Sequence, residues 1–295
     1  MAPCRQPVTA TAAINRMAKI QMVMRLLKNY PFKKARLKAY VQLKSPVHRL
    51  NWGSVKISII VPAFNEEKLL GASLARMRAA AAAFTQRGWE HELIVCDNNS
   101  TDRTAEIARA GGAMVIFEPF NQIGRARNTG ASAATGDWLI FVDADSHPDE
   151  GLFNDVAGAI VSGKYLAGGS TVQLDEKLLT ASIITGIWNW LSRFQRLLAG
   201  SFIFVEAAAF RKLGGFSEKF FAAEELDLSL RLKELARAAG KKIVILHRHP
   251  MKTSARKLKL YTPRELGAFL FRTLFQHRKT LTSREAAYIW YDGRR

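Results

Sequence analysis

From Lys56 onward the chain alternates short runs of β-branched and apolar residues with segments of helical length, and this rhythm limits the fold more than any other feature. The strand-like runs are residues 56–61, 92–96, 114–118 and 138–142, and residues 69–84, 101–110 and 125–134 read as the helices between them. Strands joined by helices pair in parallel, and a parallel sheet needs cover on both faces. The expected fold class is therefore α/β, with a mostly parallel Rossmann-like sheet and helices on both sides. Beyond residue 150 the signals are less regular: a Trp-rich helix near 178–198, a strand at 201–205, a helix at 225–238 and a strand at 242–246.

In such a sheet ligands bind outside the carboxyl ends of the strands, and here those ends are unusually polar. The first runs into Pro62-Ala63-Phe64-Asn65-Glu66-Glu67, the second into Asp97-Asn98-Asn99-Ser100-Thr101-Asp102, the fourth into Asp143-Ala144-Asp145-Ser146. Singly each has a plain structural use, since Asn65 or Ser100 can cap a helix and Asp97 can form a turn. Three acidic strand ends on one edge of one sheet are not explained that way. Asp143 and Asp145 would repel each other at the mouth of a crevice. A hard divalent cation, Mn²⁺ or Mg²⁺, completed by phosphate oxygens and water, resolves the repulsion and recruits a diphosphate. Gly124-Arg125-Ala126-Arg127-Asn128-Thr129-Gly130 opens a helix with two guanidinium groups and an Asn, which suits phosphates or ribose. The plain alternative for Arg125 and Arg127 is a pair of solvated helix charges.

Charge divides the chain differently. Residues 1–50 carry 11 Lys/Arg and no Asp/Glu, residues 51–236 carry 18 against 22, and residues 237–295 carry 15 against 3. A mildly acidic centre lies between two strongly basic ends, and such ends want anionic partners. Met17, Ile20, Met24 and Leu27 fall at helical spacing among Arg16, Lys19, Arg25 and Lys28; Leu266, Phe269, Leu270 and Leu274 repeat the pattern beside Arg264 and Arg272. Both suit an anionic membrane surface, each basic residue there adding on the order of 1 kcal/mol. No apolar run approaches the ~18 to 20 residues of a membrane span, so no transmembrane helix is expected. The 2 cysteines, Cys4 and Cys96, define neither a disulfide framework nor a thiolate metal site, and a cytoplasmic setting is the default. A nucleic-acid partner is not expected, because aromatic residues are not interleaved with the basic ones as a stacking platform needs.

Taken in order, Ser58-Ile59-Ile60-Val61-Pro62-Ala63-Phe64-Asn65-Glu66-Glu67, Asp97 to Asp102, Gly124 to Asn128 and Asp143-Ala144-Asp145 resemble family 2 glycosyltransferases of the GT-A fold, over about residues 55 to 240. The resemblance implies an inverting enzyme that uses a nucleoside diphosphate-sugar, usually a UDP-sugar. By carry-over, Pro62, Phe64, Asn65 and Glu66 line the base and ribose, Asp97 meets the base, and Arg125 and Asn128 lie near the donor. Asp143 and Asp145 match the metal-binding pair. Gly214-Gly215-Phe216 followed by Glu224-Glu225-Leu226-Asp227 resembles the family's Gly-Gly-Phe and Glu-Asp motifs, and the base position falls on Glu225. Glu stands there where Asp is usual, which leaves Glu224 and Asp227 as alternates. A late His often completes the metal site, and His247 or His249 is placed for it; Arg256 suits the diphosphate.

The implied organisation is a basic amphipathic extension at 1–54, a GT-A domain at 55–250 with a donor-binding half (55–150) and an acceptor half (151–250), and a basic helical extension at 251–295. The acceptor expected is a carbohydrate or lipid-linked glycan, such as a cell-envelope glycan, on the cytoplasmic face of a membrane. Processive synthases of the family carry Gln-x-x-Arg-Trp, which Gln276-His277-Arg278-Lys279 does not match, so single-sugar transfer is expected. The rival readings are a metal-dependent nucleotidyltransferase and a catalytically inactive scaffold.

Overall fold

The computed structural model describes residues 55–175 and 179–254. One sheet organises them: β1 (Lys56–Ala63), β2 (Glu90–Asp97), β3 (Met114–Phe117), β4 (Trp138–Val142), β5 (Ser146–His147), β6 (Tyr165–Leu174), β7 (Phe202–Glu206) and β8 (Lys242–Thr253), in the order β3-β2-β1-β4-β7-β6-β8-β5. The helices are α1 (Leu70–Ala80), α2 (Ala82–Thr85), α3 (Thr104–Ala110), α4 (Ile123–Ala133), α5 (Glu150–Val161), α6 (Leu179–Gln195), α7 (Ala207–Leu213) and α8 (Glu224–Ala238).

The first four strands pair in parallel, as helical connections require. Past β4 the sheet is mixed: β7 runs antiparallel to β4 and β6, β8 pairs in parallel with β6, and β5 in antiparallel with β8. The arrangement agrees with the expected GT-A class, with the parallel part concentrated before residue 143.

Alternation along the strands builds two cores. Ile57, Ile59 and Val61 of β1 and Ile140 and Val142 of β4 face α1 and α5, while Ile60, Leu139 and Phe141 face the side of α4, α7 and α8. Both faces are dry, so the sheet can present chemistry only at its ends. Phe141 pairs with Ile60, and Ala63 with Asp97, so β1, β2 and β4 end at one edge. Asp143 leaves the sheet there.

No described helix is long and apolar enough to cross a membrane. The amphipathic segment Met17 to Leu27, the stripe at Leu266 to Leu274, and Arg256 lie outside the described residues.

Candidate active site

The loops after β1 and β2 are locked to each other. Asn65, at φ 52°, donates its amide to Ser100 Oγ at 3.0 Å and accepts on Oδ1 from Thr101 N at 2.8 Å. Glu66 N donates to Thr104 Oγ1 at 2.8 Å and Glu67 N to Asp102 Oδ2 at 3.1 Å. Polar residues at these strand ends thus first fix the rim's shape, with Asn65 suited to the left-handed backbone. Pro62 and Glu66 are buried and Phe64 is partly exposed. Asp97 is 7% exposed and accepts from Ser100 N on Oδ1 at 3.1 Å.

Beyond this rim, α4 supplies the residue that ties the site together. Arg127 is 1% exposed. Its Nη2 donates to Asp143 Oδ1 and to the Gly200 carbonyl, both at 2.9 Å, and its Nη1 donates to Glu224 Oε1 at 2.6 Å. The guanidinium lies 5.2 Å from the centroid of the Phe216 ring. Burial alone would push its pKa down, but Asp143, Glu224 and Glu225 outweigh it and hold the cation above its ordinary range. Two residues apart on a helix differ by ~200° in direction, so Arg125 looks elsewhere: it pairs with Glu218 at 3.1 Å and Glu118 at 3.6 Å and lies over Phe120. The sequence pointed to Arg125 as the donor contact and offered solvated charge as the plain alternative for both arginines. The burial of one Arg of the two carries no signature in a single sequence.

Asn128 holds the opposite wall. Its Nδ2 donates to the Phe216 carbonyl at 3.0 Å and its Oδ1 accepts from Phe216 N at 2.8 Å. Gly215, at φ +72°, makes this possible, since a Cβ there would sit 2.4 Å from Asn128 Oδ1. The amide of Asn128 is thereby committed to Phe216 and, through Nδ2, to Glu218 Oε1 at 3.4 Å.

Three acids open α8 after Ala223, whose φ of 64° is costly for a residue with a Cβ. Glu224 is 2% exposed and bound by Arg127. Asp227 accepts from Arg231 Nε at 2.7 Å, and that guanidinium also donates to the carbonyls of Leu213 and Gly215. Glu225 is partly exposed and forms no salt bridge among the described residues. Burial of its carboxyl group, then the neighbouring Glu224, push it up to about 8 against the pull of Arg127. The Cβ position of Gly200 lies 3.7 Å from its Cδ.

Asp143 keeps 24% of its side chain exposed although one oxygen is given to Arg127, and Asp145 is 5% exposed. Two hard carboxylates suit Mn²⁺ or Mg²⁺, which take one or two such groups and fill the rest of the shell with phosphate and water. The structure does not bring His247 to them: among the described residues no group of three or more His, Cys, Asp or Glu could hold a metal. His247 is exposed on β8, and His249 bonds Asp155 of α5 through Nδ1 at 3.0 Å. The described chain returns to the pair at its end, where Ser254 N donates to the Asp145 carbonyl at 3.1 Å.

The model of the family described as glycosyl transferase family 2 matches residues 58–209, just over half of the chain. The probable glycosyltransferase YdaM of Bacillus subtilis (strain 168) is 27% identical over 204 residues, which is 61% of this chain and 47% of that protein. The chain thus spans about half the length of this curated relative. Among solved structures, the mannosyltransferase of Pyrobaculum calidifontis in complex with GDP-Man and Mn²⁺ superposes with a TM-score of 0.58 at 16% identity, covering 91% of this chain and 74% of that one. Staphylococcus aureus TarS (residues 1–349) in complex with UDP gives 0.54 at 19% identity, covering 79% and 68%. These two likenesses identify the fold as GT-A.

Proposed function

Because the chain belongs to glycosyl transferase family 2, we propose that it moves one sugar from a nucleoside diphosphate-sugar to an acceptor hydroxyl, with inversion at the anomeric carbon. One observation carries the reading: a single buried guanidinium, Arg127, joins Asp143 at the end of β4 to Glu224 at the start of α8, with Glu225 beside it. A carboxylate pair suited to the cation of a diphosphate and a carboxylate suited to a proton thus share one centre.

On this reading residues 55–150 bind the donor, with Asp97 toward the base and Pro62, Phe64 and Glu66 along base and ribose. The structures it resembles were solved with UDP or with GDP-Man and Mn²⁺, which supports a UDP- or GDP-sugar donor. Asp143 and Asp145 would hold the cation, which when bound supplies positive charge for the diphosphate. Arg256, two residues past the Ser254 contact with Asp145, would add a guanidinium to the same charge.

Residues 151–250 form the acceptor side. Inverting displacement needs a base on the acceptor hydroxyl, opposite the leaving diphosphate. Asp227 is neutralised by Arg231 and Glu224 by Arg127, whereas Glu225 has no such partner among the described residues. Burial raises the proton affinity of Glu224 and Glu225 alike, and of the two only Glu225 is left without a guanidinium on its carboxylate among the described residues, which suits it to receive the proton of the hydroxyl. Arg127 does not touch the reacting atoms on this account; it fixes Asp143 and α8 relative to each other. The acceptor is a lipid or lipid-linked glycan met at the cytoplasmic face of a membrane, as the basic segments 1–54 and 251–295 suggest by their charge.

The test is turnover of UDP- and GDP-sugars with Mn²⁺, following the anomeric proton of product by NMR. Inverted product is expected; retained configuration would exclude Glu225 as base, and no binding of any donor would reduce the chain to a scaffold.

A further inference from the structure

Helix α6 carries an aromatic pair left open among the described residues. Trp190 and Phe194, one turn apart, stack with centroids 5.6 Å apart and planes 2° from parallel, yet they are 55% and 71% exposed. Leu191 and Ser192 take the inward side of the helix, and Asn189 fastens it to β6 by paired bonds to the Val172 backbone at 2.9 and 2.8 Å. Arg193, exposed, stands at i+3 from Trp190 and so shares its outward face.

Cations gather at the end of this helix. Leu198 N donates to Ser229 Oγ of α8 at 3.0 Å, which holds the segment just after α6 on α8, and exposed Arg196 lies near Lys233. Burial, then Arg196 and Arg237, push the Lys233 ammonium down, the sign of cations crowded together. None of Arg193, Arg196, Lys233 and Arg237 pairs with a carboxylate among the described residues, and Glu234 is the acid nearest to them along α8.

We propose that this face, Trp190 and Phe194 with Arg193, Arg196, Lys233 and Arg237, docks on an anionic lipid bilayer. Stacked aromatics bordered by cations fit a surface that offers phosphates above an apolar layer. The chain's own ends fit it poorly, because 11 Lys/Arg with no acid at 1–50 and 10 against 3 at 255–295 would meet four more cations. A second copy brings the same four. The docked helix also leads to the centre described above, since the segment after it reaches Gly200, whose carbonyl accepts from Arg127. This inference rests on the reading of a membrane-bound acceptor and supplies the surface that would meet it.

The experiment is flotation of the full chain at low salt with phosphatidylcholine vesicles, with and without phosphatidylglycerol. Compared are wild type, Trp190→Ser/Phe194→Ser and Arg193→Glu/Arg196→Glu, with melting temperature and Mn²⁺-dependent UDP affinity measured on each. Wild type should float with anionic vesicles and less at high salt. Each variant should keep its fold and UDP affinity while losing vesicle affinity, roughly tenfold or more for the charge reversal. Unchanged flotation of both variants would assign the attraction to the basic ends and overturn the docking face. So would equal binding to neutral vesicles, or a wild-type dimer that the aromatic substitutions dissociate. Wild type that floats as described but binds no nucleotide would keep the docking face and remove the transferase reading.

Discussion

Arg127 donates from Nη1 to Oε1 of Glu224 across 2.6 Å, and the two side chains are 2% and 3% exposed. Such a pair gains little over apolar residues of similar size, because both ions were taken out of water, but losing one partner strands the other. Arg127→Met should therefore cost ~3–5 kcal/mol of stability. Arg127→Met combined with Glu224→Leu should recover most of it without recovering activity. Urea unfolding measures both, and an unchanged midpoint for the single variant would contradict the account.

Asp145 tests the metal reading more cleanly than Asp143, because Asp143 also anchors Arg127. Asp145→Asn should lower Mn²⁺-dependent UDP affinity by more than the ~10–100-fold typical of an outer-shell partner, with the circular dichroism spectrum kept. Equal affinity in calorimetric titration would remove Asp145 from the site.

Glu225 predicts two pH dependences. Its carboxyl is pushed up to about 8 from an ordinary 4.5 by burial and by Glu224. Between those values the folded chain binds a proton that the unfolded chain releases, so stability falls as pH rises through the interval. Glu225→Gln removes that loss: it should melt several °C above wild type at about pH 9 and with little difference at about pH 5. As a base, Glu225 must be deprotonated, so wild-type kcat/KM should climb with pH through about 8. Melting curves and a pH–rate profile check the two.

Gly215→Ala places a Cβ 2.4 Å from Asn128 Oδ1 on a backbone at φ +72°. The strain should cost ~1–3 kcal/mol and loosen Phe216 against Arg127. A variant with the wild-type melting temperature would show that the wall does not depend on this contact.

The strand ends were legible because three of them turn acidic directly after an apolar run, which capping and turns explain singly but not together, and the register brings Ala63, Asp97 and Asp143 to one edge. Other parts were hidden for physical reasons. β6 has Gly168 and Gly169 in its middle, which weakens its strand pattern; a Cβ on Gly168 would lie 2.4 Å from Phe204 Cζ, so the close packing that requires glycine also conceals the strand. α7 has 7 residues, too short for a helical period to stand out. The choice among Glu224, Glu225 and Asp227 turns on Arg127 and Arg231, which reach them through space from 97 residues away and from four residues on.

The most direct test of the transferase account is Glu225→Gln assayed for donor affinity and turnover side by side. UDP-sugar affinity should stay close to wild type while kcat falls by ~10²-fold or more, the scale for loss of a positioned base. Wild-type turnover in Glu225→Gln, with Glu224→Gln or Asp227→Asn inactive instead, would contradict it.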